Sequence, residues 1–189
     1  MNYKIVIDPG HGGMDIGASI NNIYESDIVL EISFKIKEIF EEYGYFVILT
    51  RESKDALCDG KFIKKEDLNK RIDIINNSNA SVFISVHLNK FNISKYSGAQ
   101  VFYSLSNSNN YILANEIQYS LKKILGNTDR VTKGKHSNYI LNRINIPGCL
   151  VECGFMSNND ELKLLLDEGY QYKIAKALLF GVNNYFKRN

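Results

Sequence analysis

Tyr3-Lys4-Ile5-Val6-Ile7-Asp8-Pro9-Gly10-His11-Gly12-Gly13 is an apolar, β-branched run that stops at a proline and three glycines set around a histidine. Such a run reads as a strand covered on both faces, closed by a tight turn. A helical stripe follows at 26–43, where Ile28, Val29, Ile32, Ile36, Ile39, Phe40 and Tyr43 share one face and Gly44 is the stop. Strand, turn and helix in that order make the first unit of a parallel sheet between helical layers.

The pattern recurs to the end of the chain. Further strands read at 45–50, 82–87, 99–103 and 148–152, with a weaker one near 139–141. Leu68, Ile72 and Ile75 mark a second helix, and Ile112, Leu113, Ile117, Leu121 and Ile124 a third that Gly126 stops. Residues 159–167 and 170–187 supply two more. The loops 52–66 and 126–138 are polar and long enough to shape a substrate surface. The expected fold is a single three-layer α/β/α domain over residues 1–189, with a mostly parallel sheet of about six strands.

Composition removes several classes. With 189 residues, 44% hydrophobic and 23% charged, the chain buries a real core. No apolar run approaches the roughly 20 residues of a membrane span. A net charge of +2, with both signs interleaved, gives no reason to expect nucleic acid. Cys58, Cys149 and Cys153 contain no CxxC pair, so neither a disulfide scaffold nor a cysteine zinc module is expected. Met1-Asn2-Tyr3-Lys4 leads straight into the first strand, and no targeting segment reads there.

Ligands of such sheets gather at the carboxyl ends of the strands. There the sequence sets His11 in its glycine turn, His87 at the end of 82–87, and Glu152 at the end of 148–152. Glu25 stands just before the helix at 26–43, with Ser26 or Asp27 as its cap. Two neutral imidazoles and one carboxylate hold Zn²⁺ and leave a fourth position for water, the pattern of hydrolytic zinc sites. His11, Glu25 and His87 are therefore candidate ligands. Glu152 is the candidate general base and acid, passing a proton from water to a leaving nitrogen. Each has a plainer reading: a tight-turn histidine, a half-buried histidine, a helix-dipole charge. Phosphate cradling by the glycine turn is disfavoured, since no Lys-Ser/Thr follows it.

Taken together, Ile7-Asp8-Pro9-Gly10-His11-Gly12-Gly13, Glu25, Leu49-Thr50-Arg51, Leu68 with Arg71, Ser85-Val86-His87-Leu88-Asn89 and Val151-Glu152-Cys153-Gly154-Phe155-Met156-Ser157-Asn158 resemble a known family. The chain is similar, from Ile5 to about Phe186, to the zinc-dependent N-acetylmuramoyl-L-alanine amidases of the amidase-3 family of cell-wall hydrolases. The resemblance implies one Zn²⁺ per chain on His11, Glu25 and His87, with Glu152 catalytic. It implies peptidoglycan as substrate, cut between the lactyl group of N-acetylmuramic acid and L-alanine. A cell-wall, extracellular or intermembrane location follows, or a cytoplasmic one before release if the chain is phage-encoded. Some relatives plug the site with a helical insertion; the short segment between His87 and strand 99–103 leaves none expected here. Isolated catalytic domains often need an activating partner, so a partner-dependent subunit is the rival reading, and a zinc peptidase acting elsewhere in the stem is a third.

Other residues read as structural: Arg51 and Arg71 in ion pairs, Asn89 bracing the His87 turn, Cys149 and Cys153 as packing. Asp8 either orients a ligand or caps its own turn. His136 lines the groove or sits in solvent.

Overall fold

In the computed structural model, which describes residues 3–58 and 60–188, the first strand is β1 (Lys4–Pro9). After it come a small hairpin, β2 (Ser19–Ile20) with β3 (Ile23–Tyr24), then α1 (Glu25–Glu42), β4 (Phe46–Leu49) and α2 (Lys64–Asn77). The remainder runs β5 (Val82–Asn89), β6 (Gln100–Ser104), α3 (Ser108–Leu125), β7 (Lys133–Lys135), β8 (Gly148–Phe155), α4 (Asn159–Leu165) and α5 (Glu168–Arg188). The main sheet has six strands in the order β4-β1-β5-β8-β6-β7. All neighbours are parallel except β6, which runs antiparallel to β8. The expected three-layer α/β/α class is the one found.

The layers are unequal, and the inequality makes the site. One face carries Ile5, Ile7, Ile84, Val86 and Val151 into a large core against α1, α3 and α5. The alternate residues Val6, Phe83, Phe102 and Leu150 form a smaller core on the other face, covered by Ile72 and Ile75 of α2 and by Ile140 and Leu141. Continuing along that second face toward the strand ends come Asp8, Ser85, His87 and Glu152. Asp8 and Ser85 are buried, whereas His87 and Glu152 are only partly so. The cover thins at the edge where the ligand-binding end of a parallel sheet lies.

Two expectations are corrected. The sixth strand is not near 139–141; those residues form a turn, and Ile140 and Leu141 serve as the lid of the second core. Instead β7 forms inside the supposed loop at 126–138, a short edge strand whose Lys133 and Lys135 suit a position with one unpaired side. Neither Ser26 nor Asp27 caps α1. Its N-cap is Tyr24, without a side-chain bond, and carbonyls supply the need: Glu25 N–H donates to Ala18 and Ser26 N–H to Ile16. By contrast, the stop at Gly126 is a left-handed cap (φ 70°), as its glycine suggests. No helix lies between Asn89 and Gln100, and Cys149 and Cys153 are fully buried free thiols.

Candidate metal centre

The glycine turn delivers His11 to the edge of β1 in the left-handed region, at φ 62°. That conformation costs a non-glycine residue on the order of 1 kcal/mol, so neighbours must hold it. Two buried guanidinium groups do. Arg51 donates to the carbonyls of Pro9 (3.1 Å), Gly10 (2.8 Å) and Ser26 (2.8 Å). Arg71 donates to the carbonyls of Pro9 (2.6 Å) and His11 while pairing with Asp8 and Asp67, each at 2.8 Å. Arg71 thus keeps the ion pairs expected of it. Arg51 makes none among the described residues; it clamps backbone oxygens, the better use of a planar fork.

Asp8 is fully buried, and among the described residues its carboxylate hydrogen-bonds neither a candidate ligand nor its own turn. It accepts from Thr50 (2.6 Å), Arg71 (2.8 Å) and Ser85 (2.8 Å). Burial by itself raises its carboxyl pKa, but Arg71 and those hydroxyls outweigh burial and hold it below the usual range. Asp8 therefore fixes the arginine that fixes the turn.

The side chains of His11, Glu25 and His87 converge, their candidate donor atoms lying within 4.8 Å of one another. His11 Nε2 is 3.1 Å and His87 Nδ1 3.0 Å from the same oxygen, Glu25 Oε1. The two rings stand nearly perpendicular at 82°. Bonds of about 2.0–2.1 Å to a tetrahedral ion separate neighbouring donors by about 3.3 Å, so this nitrogen, oxygen, nitrogen set fits a zinc-sized ion. Glu25 is held by backbone: Ala18 N–H donates to Oε2 (2.8 Å) and Leu88 N–H to Oε1 (3.0 Å). Burial opposes its charge, yet the two imidazoles hold its carboxyl well below the usual range. Space is tight. A Cβ on Gly10 would lie 2.6 Å from the His87 ring nitrogens, and one on Gly17 2.6 Å from Glu25 Oε2.

Behind His11 stands Asp15, with Oδ1 3.0 Å from Nδ1 in an ion-pair contact that is not an aligned hydrogen bond. Lys64 in turn lies 3.0 Å from Asp15 Oδ2. Burial disfavours a charged His11 ring, but the Asp15 and Glu25 carboxylates override it and lift its pKa to about 9. The pocket is thus built to hold positive charge, whether a proton or a metal ion. Asp15 was not singled out from sequence, although its place four residues after His11 in the glycine turn is a legible signal.

Glu152 stands on β8 directly opposite His87 on β5 and Gln100 on β6. Its Oε2 is buried without a hydrogen-bond partner among the described residues. Burial raises its carboxyl pKa, His87 pulls it back, and Glu25 adds to the rise. A cavity of about 190 Å³ adjoins His11 and His87, walled by Leu68, Tyr139 and Leu150. His136 is exposed, and its backbone carbonyl accepts from Asn142 Nδ2 (2.8 Å). Asn89 braces the strand end through its carbonyl, which accepts from Met156 N–H (2.8 Å).

The sequence pattern of the amidase-3 family, described as N-acetylmuramoyl-L-alanine amidase, matches residues 5–184. The chain belongs to this family. It is 41% identical to the germination-specific N-acetylmuramoyl-L-alanine amidase of Bacillus subtilis (strain 168), over 96% of this chain and 79% of that one. The solved CwlD amidase of Clostridioides difficile, in complex with the GerS lipoprotein, superposes with a TM-score of 0.95 at 42% identity, covering 100% of both chains. An N-acetylmuramoyl-L-alanine amidase from Clostridium difficile 630 follows at TM-score 0.87 and 29% identity, covering 98% of this chain and 97% of that one. This amidase is a hydrolase of peptidoglycan, and its relatives include cell-wall and germination-specific amidases. No helix of the described residues is long and apolar enough to cross a membrane.

Proposed function

We propose that this amidase is zinc-dependent, with His11, Glu25 and His87 as ligands of one ion and Glu152 as general base and then general acid, in a single catalytic domain over residues 1–189. The observation that carries it is the pairing of a compact His-Glu-His donor set with an unpartnered, buried Glu152 oxygen on the neighbouring strand. A zinc ion bound there would supply Lewis acidity to water and to the lactyl carbonyl.

The residues do the rest. Glu152 Oε2 takes a proton as water oxygen bonds to the lactyl carbonyl carbon. The carbon–nitrogen bond then breaks, and Glu152 returns that proton to the departing alanine nitrogen, leaving a lactyl carboxylate and a free stem peptide. Its raised proton affinity suits both steps, since burial weakens its preference for staying ionised. Leu88 N–H and Ala18 N–H hold Glu25, and Arg51 and Arg71 hold His11, so the donor set is rigid.

A cell-wall or spore-cortex setting is part of the proposal, supported by the germination-specific relative. So is an activating protein partner, supported by the lipoprotein complex of the C. difficile enzyme. The test is mass spectrometry of peptidoglycan incubated with zinc-loaded protein beside a chelated control, each with and without a candidate partner. Stem peptides with free alanine N-termini that vanish on chelation are expected. Undiminished release after chelation overturns the zinc assignment, and release elsewhere in the stem overturns the bond assignment.

A further inference from the structure

The two flanks of the site differ in charge. On the α2 side the buried Arg71 is answered by Asp8 and Asp67, and the exposed Lys64 by Asp15. On the β6–β7 side the half-buried Arg130 and Lys135 have no ion-pair partner among the described residues. Arg130 spends Nε on the Ser97 carbonyl (2.7 Å) and one amino group on Gln100 Oε1 (3.2 Å), with its guanidinium 4.6 Å over the Phe155 ring. Lys135 lays its ammonium 4.2 Å over the Phe102 ring. Both side chains are only half-buried.

Register fixes where these charges stand. Gln100 pairs with Glu152, and Ser104 with Lys135, so Glu152, Gln100, Phe102 and Lys135 mark one shelf across three strands. Lys135 is close enough for its charge to favour the ionised form of Glu152. β7 lies two strand spacings from β8, about 10 Å, and Lys135 stands four residues along β6 from Gln100, about 13 Å, so its Cα is about 16 Å from that of Glu152. The lysine side chain covers part of that span by stretching back over the Phe102 ring.

We propose that the β6–β7 shelf, with Lys135 and Arg130 as its cations, is the subsite for a carboxylate of the stem peptide, and that it selects stems whose second residue keeps a free α-carboxylate. The inference rests on the amidase reading for its substrate. A γ-linked glutamate at the second stem position carries such a group one residue past the scissile amide. Amidation of that group removes the charge and leaves the shelf's cations unanswered, the asymmetry that makes polar sites selective.

The test is calorimetric binding of the tripeptide L-alanyl-γ-D-glutamyl-L-lysine, as the free acid and as its α-amide, to the full chain. The acid is expected to bind about tenfold tighter than the amide, the size of one charge-assisted contact. Lys135→Met should bring that ratio close to one, Lys135→Arg should restore it, and Lys176→Met, at an exposed position of α5 on the opposite side of the sheet, should leave it as in the parent. Circular dichroism confirms that each variant is folded. Equal binding by the parent, no binding of the acid, or a ratio that survives Lys135→Met overturns the subsite. Cleavage of a muramyl peptide, run alongside, judges the amidase reading separately. Binding preference without cleavage keeps the shelf and removes the reaction; cleavage without preference does the reverse.

Discussion

Glu152 is a carboxyl group whose Oε2 is buried beside an imidazole with no hydrogen-bond partner among the described residues, an arrangement that makes poor structural sense and good chemical sense. A purely structural glutamate would tolerate its isosteric amide. Glu152→Gln keeps shape and removes the proton carrier, so kcat should fall by about 10²–10⁴ while zinc stoichiometry by atomic absorption stays at the parent value. Near-parental turnover would remove Glu152 from the reaction. Asp15 acts one contact further out. A carboxylate behind a ligand imidazole fixes its tautomer and raises its basicity, and losing one weakens metal binding about 10–100-fold. Asp15→Asn should show that loss in a competitive zinc titration; unchanged affinity would reduce Asp15 to a partner for Lys64. At this scale the sequence told unevenly. His11, His87 and Glu152 stand at the ends of apolar runs, where a polar residue is conspicuous. Gln100 and Lys135 join them only through the antiparallel pairing of β6, which no local pattern announces.

Among the elements, β1 and its turn carry the stored conformational cost, and two arginines from β4's exit and from α2 meet it. Arg71→Met should cost about 3–5 kcal/mol, because it strands Asp8 and Asp67 without their counter-charge. Arg71→Lys should cost less stability but still loosen the carbonyls of Pro9 and His11, a loss visible as weaker zinc binding in a protein that remains folded. If Arg71→Lys binds zinc as tightly as the parent, the clamp is structural only. The helices were legible because their apolar stripes and glycine stops are local; Gly44 and Gly126 end α1 and α3 near where periodicity fails. The sixth strand was misplaced for a physical reason. Apolarity at 139–141 signals burial, and a turn lid buries Ile140 and Leu141 as well as a strand would. Lys133-Gly134-Lys135 carries no apolar signal, because an edge strand needs none. The unaided α1 start has the same origin: loop carbonyls from a hairpin distant from any cap pattern satisfy it.

Across the whole molecule the candidate ligands come from three segments, the β1 turn, the start of α1 and the end of β5, so an ion bound there would tie together segments already joined by the β1–β5 ladder and by the Leu88–Glu25 hydrogen bond. Such an ion binds the folded chain and not the unfolded one, and free metal at about 100 times its dissociation constant adds about 2.7 kcal/mol. For a domain of this size each kcal/mol moves Tm by about 2–4 °C, which places the expected rise on zinc loading at about 5–11 °C. Chelation should reverse it. The asymmetry of the layers predicts where the gain is felt. The core under α1, α3 and α5 is closed without the site, whereas the second face is capped only by α2 and the Ile140–Leu141 turn. Hydrogen exchange on zinc binding should therefore slow most at the amides of residues 10–18 and 87–89, and least in α3 and α5. His87→Ala should abolish both the Tm rise and the local slowing while leaving α3 and α5 protected as before. A Tm that zinc does not move, or protection that rises uniformly over all five helices, would mean that the ion does not sit where these three side chains meet.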